Sequence, residues 1–234
     1  MGVRKHIPNA ITSLNLLCGV IGIFLELKYE CVVGHPGLLF MLAAAFFDVC
    51  DGLAARLLNT YSPVGKELDS LADVVSFGVL PSIMMKQAAV AEGWQAYLTW
   101  IPLLIAVFSA LRLAKFNLDE RQHEGFLGLP SPASALICGS LCCITGNTWI
   151  IISVSVVLCA LMVSEIPMFS FKFGKDIHAD TATKMLRYAI ISISAIIIII
   201  VIAFGLPWPV IILGILTAYV LENFLYYMIC PKAS

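Results

Sequence analysis

Apolar runs of nearly membrane-spanning length follow one another along almost the whole chain, and they leave few architectures open. Inside a bilayer every backbone amide must be satisfied by the chain itself, so only helices and closed barrels cross it. A helical crossing needs about 20 residues. The candidates are Ile11–Leu27, Gly37–Leu57, Leu68–Ala89, Tyr97–Ala114, Ser134–Thr145, Thr148–Ile166, Tyr188–Phe204 and Val210–Ile229. The fifth is the shortest; the seventh carries the unbroken run Ile196–Ile202. With 60% hydrophobic and only 12% charged residues, an aqueous surface could not be covered with polar groups. The expected fold is therefore an all-α integral membrane protein, a polytopic bundle of about eight transmembrane helices. No internal repeat or low-complexity linker divides it, so residues 1–234 read as a single membrane domain.

Charge placement orients the bundle. With the N-terminus cytoplasmic, that side receives Arg4, Lys5, Arg56, Lys66, Arg112, Lys115, Arg121, Lys172, Lys175, Lys184, Arg187 and Lys232. The opposite side receives only Lys28 and Lys86, which completes the 14 basic residues. A net charge of −1 without a basic block gives no reason to expect nucleic-acid binding. The eight cysteines lie mostly in apolar runs and form no C-x-x-C pair, so they read as small buried side chains. No small-residue cleavage site follows the first apolar run, and that helix is expected to stay attached. His6, His35, His123 and His178 fall in the tail and loops and read as solvated histidines.

Against this background the segment DVCDGLAARLLNTYSPVGKELDSLADVVSF stands out. Asp48 and Asp51 are three apart, Asp69 and Asp73 four apart, and on a helix either spacing puts both carboxylates on one face. Asn59, Ser62, Pro63 and Gly65 between them read as a turn. The result is two antiparallel helices with four carboxylates in the gap, a concentration of negative charge that calls for cations. Arg56 supplies one charge at most, so one or two divalent metal ions are the natural completion. Ionisable groups at membrane depth are a functional-site hypothesis by default. Orientation puts this one at the cytoplasmic ends of the second and third spans, where a soluble nucleotide arrives from water and a lipid from the side.

The pattern D-x-x-D-G-x-x-A-R, then G-x-x-x-D-x-x-x-D, is filled at every fixed position by Asp48, Asp51, Gly52, Ala55, Arg56, Gly65, Asp69 and Asp73. It closely resembles the signature of the CDP-alcohol phosphatidyltransferases. Arg112-Leu-Ala-Lys115-Phe-Asn117, the segment Phe126–Ala133, and the later Leu161–Ser164 and Ser170–Lys172 are similar to the phosphatidylserine synthase branch of that superfamily. The specific likeness runs from the first helix to Lys172. It implies a six-helix catalytic core over residues 1–172, and residues 173–234 then add two C-terminal helices.

The resemblance also implies a reaction: transfer of the phosphatidyl group from CDP-diacylglycerol to the hydroxyl of L-serine, giving phosphatidylserine and CMP. It implies Mg²⁺ or Mn²⁺ at Asp48, Asp51, Asp69 and Asp73, with Asp73 as general base. The nucleotide would lie along Asp48, Gly52, Ala55, Arg56, Gly65 and Asp69, where small residues allow close approach. Arg112, Lys115 and Asn117 are candidates for binding the acceptor or a phosphate. Asn9, Thr12 and Asn15, three apart at the start of the first span, form a polar face that either bonds neighbouring helices or lines the nucleotide pocket. A homodimer in a bacterial or archaeal plasma membrane, with its active site on the cytoplasmic face, completes the expectation.

Two alternatives stay open. Inositol or glycerol phosphate could serve as acceptor at the same core. The chain could instead be a divalent-cation transporter, but Leu39–Phe47 and Val74–Leu80 are almost wholly apolar, which makes the carboxylates a one-sided pocket.

Overall fold

A computed structural model describes residues 6–29, 35–60, 62–89, 93–118, 126–168 and 181–229. Arg4, Lys5, Arg121, His123, Lys172, Lys175, His178 and Lys232 lie outside these residues. The described chain is an all-α membrane protein. Helices α1 (His6–Tyr29), α2 (Pro36–Leu58), α3 (Pro63–Ala88) and the segment Ala96–Leu118 are each long and apolar enough to cross a bilayer. The last of these is a 3-10 run, Gly93–Leu103, that passes into α4 (Leu104–Leu118). Further apolar helices follow: α5 (Ser131–Ile144), α6 (Thr148–Val163), α7 (Thr181–Phe204) and α8 (Pro209–Ile229).

α3 starts earlier than its hydrophobicity implies because its cap lies in the polar turn. Ser62 adopts an extended backbone, its Oγ accepts from the Gly65 N–H at 2.9 Å, and Pro63 fills the first helical position. Midway, over Val74–Val79, the helix widens into a π turn. Pro81 has no N–H for the carbonyl one turn back, and just before it the Leu80 N–H reaches Val75 O instead. Small residues in this wide turn let neighbours close in. A Cβ on Gly19 of α1 would lie 2.5 Å from Ser76 Oγ, and one on Gly78 would lie 3.1 Å from Ser109 Cβ of α4. α1 therefore packs against both α2 and α3, and α4 closes the far side of the π turn.

The core beneath these crossings holds Leu38, Met41, Phe77, Leu80, Met84 and Ile105, against which α5 buries most of its length. A two-residue antiparallel bridge, β1 (Phe126–Leu127) with β2 (Pro167–Met168), ties the chain before α5 to the chain after α6. Gly128 then takes φ +75°, and a Cβ there would fall 2.6 Å from Met162 O and 2.8 Å from Ser164 O. Leu129 N–H donates to Leu161 O at 3.0 Å. The segments Phe126–Ala133 and Leu161–Ser164, far apart in sequence, are thus in direct contact.

His35 departs from the expectation of a solvated histidine. It caps α2 with its Nδ1 on Glu26 Oε1, while Glu26 Oε2 accepts from the Gly37 N–H at 3.1 Å. Glu26 is fully buried near the end of α1. Nothing local marks this pair, because the partners meet only once the α1–α2 hairpin closes. Glu26→Ala is expected to destabilise the protein by ~3 kcal/mol, since it strands a buried amide and the imidazole. The midpoint of unfolding in mixed detergent micelles measures this, and a loss below ~1 kcal/mol would show that the clasp is dispensable.

Candidate active site

α2 and α3 are turned against each other by a tight reversal. Asn59 ends α2 in the left-handed region (φ 49°, ψ 44°), its N–H returning to Ala55 O and Arg56 O, and three residues later Ser62 caps α3. The antiparallel pair brings the carboxylates together. One oxygen each from Asp48, Asp51 and Asp69 lies within 4.8 Å of the others. Asp73, one turn further along α3, is buried and stands outside that group.

α1 forms a third wall. Thr12 Oγ1 donates to Asp51 Oδ2 at 2.6 Å, and Asn15 Nδ2 donates to Asp73 Oδ1 at 3.3 Å. Further out, a Cβ on Gly65 would lie 2.7 Å from Asn9 Oδ1, so the glycine admits the start of α1. The polar spacing of Asn9, Thr12 and Asn15 is thereby directed at the aspartates and their flanking glycine. Around Gly52, by contrast, nothing lies within 4 Å of a would-be Cβ. That face of α2 is open.

Electrostatics favour a cation here. Asp48 is repelled by Asp69 and Asp51, and Asp73 by all three. Asp69 Oδ1 is buried with no hydrogen-bond partner among the described residues, an acceptor that a metal ion would satisfy. Three carboxylates with no nitrogen or sulfur donor among them suit a hard divalent ion such as Mg²⁺, Mn²⁺ or Ca²⁺. The cluster can hold a divalent metal.

The basic candidates separate. Arg112 is buried, donates from Nη1 to Ser131 Oγ at 3.2 Å, stacks over Phe116 and lies within electrostatic reach of Asp73. Lys115 is exposed, so the two do not share an environment. Asn117 Nδ2 donates to Ser70 Oγ at 2.8 Å, beside Asp69. Arg56 is exposed and makes no ion pair with the aspartates among the described residues. Ser131 and Ser70 escaped the sequence reading, because each meets its partner only across two elements.

The family profile described as CDP-alcohol phosphatidyltransferase matches residues 5–166, more than half of the chain. The chain belongs to the CDP-alcohol phosphatidyltransferase family. Relatives named CDP-diacylglycerol–serine O-phosphatidyltransferase include one from Bacillus subtilis, 36% identical over 172 residues, which are 72% of this chain and 92% of that protein. One from Helicobacter pylori is 34% identical over 176 residues, covering 70% and 72%. One from Methanocaldococcus jannaschii is 34% identical over 168 residues, covering 70% and 75%. In this CDP-alcohol phosphatidyltransferase the matched region holds every carboxylate of the site and both segments that meet at Gly128.

Proposed function

We propose that the protein transfers the phosphatidyl group of CDP-diacylglycerol to L-serine. The observation that carries this is the division of four aspartates into an open three-carboxylate cluster and a separately held fourth, in a chain whose relatives bear that enzyme's name. Asp48, Asp51 and Asp69 would hold Mg²⁺ or Mn²⁺, with Asp73 beside them and outside the trio. Such an ion supplies charge neutralisation for the diphosphate and the departing CMP. Gly52 and Ala55 leave room on α2 for the nucleotide, and exposed Arg56 is placed to reach a phosphate oxygen. The acyl chains remain in the bilayer.

In the reaction the serine hydroxyl oxygen bonds to the phosphorus that carries diacylglycerol, the bond from that phosphorus to the CMP oxygen breaks, and the hydroxyl proton passes to Asp73. Most of the acceleration comes from holding the reactants in line and from preorganised charge. Arg112, held by Ser131 within electrostatic reach of Asp73, would bind the acceptor's carboxylate, with Asn117 on Ser70 as a second polar group and exposed Lys115 attracting the acceptor or a phosphate from water. The site would lie on the cytoplasmic face of a bacterial or archaeal plasma membrane, the side that the Lys and Arg distribution favours. Residues 1–172 form the core and 173–234 an addition, and the working unit is a homodimer. The alternative is the same chemistry with inositol or glycerol phosphate as acceptor, the latter drawn by Arg112 through its phosphate.

Purified protein with CDP-diacylglycerol and Mn²⁺ is expected to release CMP with serine, and not with inositol or glycerol 3-phosphate; chelation by EDTA should stop release. CMP with another acceptor only would overturn the serine assignment. Metal flux into liposomes without CMP release would overturn the enzyme.

A further inference from the structure

From the way α1 meets α3, we infer that Asn15 is a positioning residue that holds Asp73 apart from the metal-binding trio and aims it at the acceptor. The inference deepens the reading of Asp73 as the base in phosphatidyl transfer and rests on it.

Asn15 is completely buried. Its side-chain nitrogen donates to Asp73 Oδ1, and its main-chain carbonyl accepts from Ser76 Oγ at 3.1 Å, in the π turn just past Asp73. Gly19, one turn along α1, leaves no room for a Cβ against Ser76, so the backbone of α1 runs close to α3 on two consecutive turns. The amide orientation follows from chemistry: an ionised carboxylate only accepts, so the nitrogen end faces Asp73. The other end, Oδ1, is buried without a partner among the described residues. An apolar side chain of similar size would fill this place without stranding an acceptor in a low-dielectric interior. Packing therefore does not account for an asparagine here, whereas its bond to Asp73 does.

The consequence is geometric. Four carboxylates crowded around one cation would all tend to turn towards it. Thr12 holds Asp51 by one oxygen without removing it from the trio, while the oxygens of Asp73 stay outside. With Oδ1 tied to Asn15, the second oxygen of Asp73 is left for the acceptor hydroxyl. Loss of the tether lets Asp73 swing, and misplacement by ~1 Å is sufficient for a loss of about 10²-fold.

The test compares wild type, Asn15→Leu and Asn15→His, the last of which returns an N–H donor at nearly the same reach. Serine-dependent CMP release gives kcat and KM; electron paramagnetic resonance in the presence of CMP gives Mn²⁺ affinity without turnover. Asn15→Leu should lower kcat about 10²-fold, with KM for CDP-diacylglycerol and Mn²⁺ affinity within ~2-fold of wild type. Asn15→His should recover at least ~10-fold of that loss. Unchanged kcat in Asn15→Leu overturns the inference. So does Mn²⁺ affinity falling in step with kcat, which would make Asn15 part of the metal framework, and so do equal losses in the two variants. If Asn15→Leu does not fold, Asn15→Ala makes the same comparison. A wild-type protein that releases no CMP with any acceptor overturns the parent reading instead.

Discussion

Asp69→Asn is expected to slow catalysis ~10³-fold and to make the metal-free protein more stable at the same time. Asp69 faces Asp51 and Asp48 across the α2–α3 gap, and one of its oxygens is buried without a partner. Without metal, that arrangement is like-charge repulsion in a partly desolvated site. Replacing one charge by an amide relieves it, and the melting temperature of the metal-free protein should rise by a few degrees, ~1 kcal/mol. With Mn²⁺ the order reverses. Wild type gains stability by mass action on its folded state, whereas Asp69→Asn, with one ligand charge fewer, gains little. CMP release should fall ~10³-fold, equivalent to about 4 kcal/mol of transition-state stabilisation. Thermal scans with and without Mn²⁺, beside the CMP assay, check all three statements. A variant that melts lower than wild type without metal would show that Asp69 holds the fold together and does not merely wait for a ligand.

That opposition between stability and function is also why the site was legible in the sequence. Carboxylates in an apolar chain are expensive, so their spacing carries information that survives without coordinates: two helical faces and a turn between them. The cap at Ser62 and the reversal at Asn59 follow from local chemistry as well. Pairings made at long range left no such trace. Thr12 to Asp51, Asn15 to Asp73, Arg112 to Ser131 and Glu26 to His35 each join different elements, and no spacing along one helix could name the partner. The π turn was hidden for a related reason. Val74–Val79 reads as an ordinary apolar helix, and its widening shows only through the missing amide of Pro81 and the closeness of α1 and α4. Arg112 and Lys115, three apart, looked equivalent on a helical wheel. Packing buries one within electrostatic reach of Asp73 and leaves the other exposed.

The same small change at two glycines should separate the scaffold from the site. At Gly19 an added methyl would meet Ser76 Oγ at 2.5 Å and Ser76 Cα at 3.0 Å; the second contact is backbone and cannot rotate away. Relief requires α1 to back off from α3, which lengthens the Asn15 bonds to Asp73 and Ser76 together. Gly19→Ala is therefore expected to destabilise by about 1–3 kcal/mol, overriding the gain in helix propensity, and to lower kcat through the displaced Asp73. At Gly52 the methyl meets nothing within 4 Å, so Gly52→Ala should gain up to ~1 kcal/mol of helix stability. If the open face of α2 is where the nucleotide lies, that methyl occupies space the substrate needs. KM for CDP-diacylglycerol should then rise about 10-fold or more while the fold is firmer than before. Detergent unfolding midpoints and CMP-release kinetics on the two variants read these opposite outcomes side by side. A Gly52→Ala enzyme with wild-type kinetics would move the nucleotide off α2, towards the α1 face that carries Asn9 and Thr12.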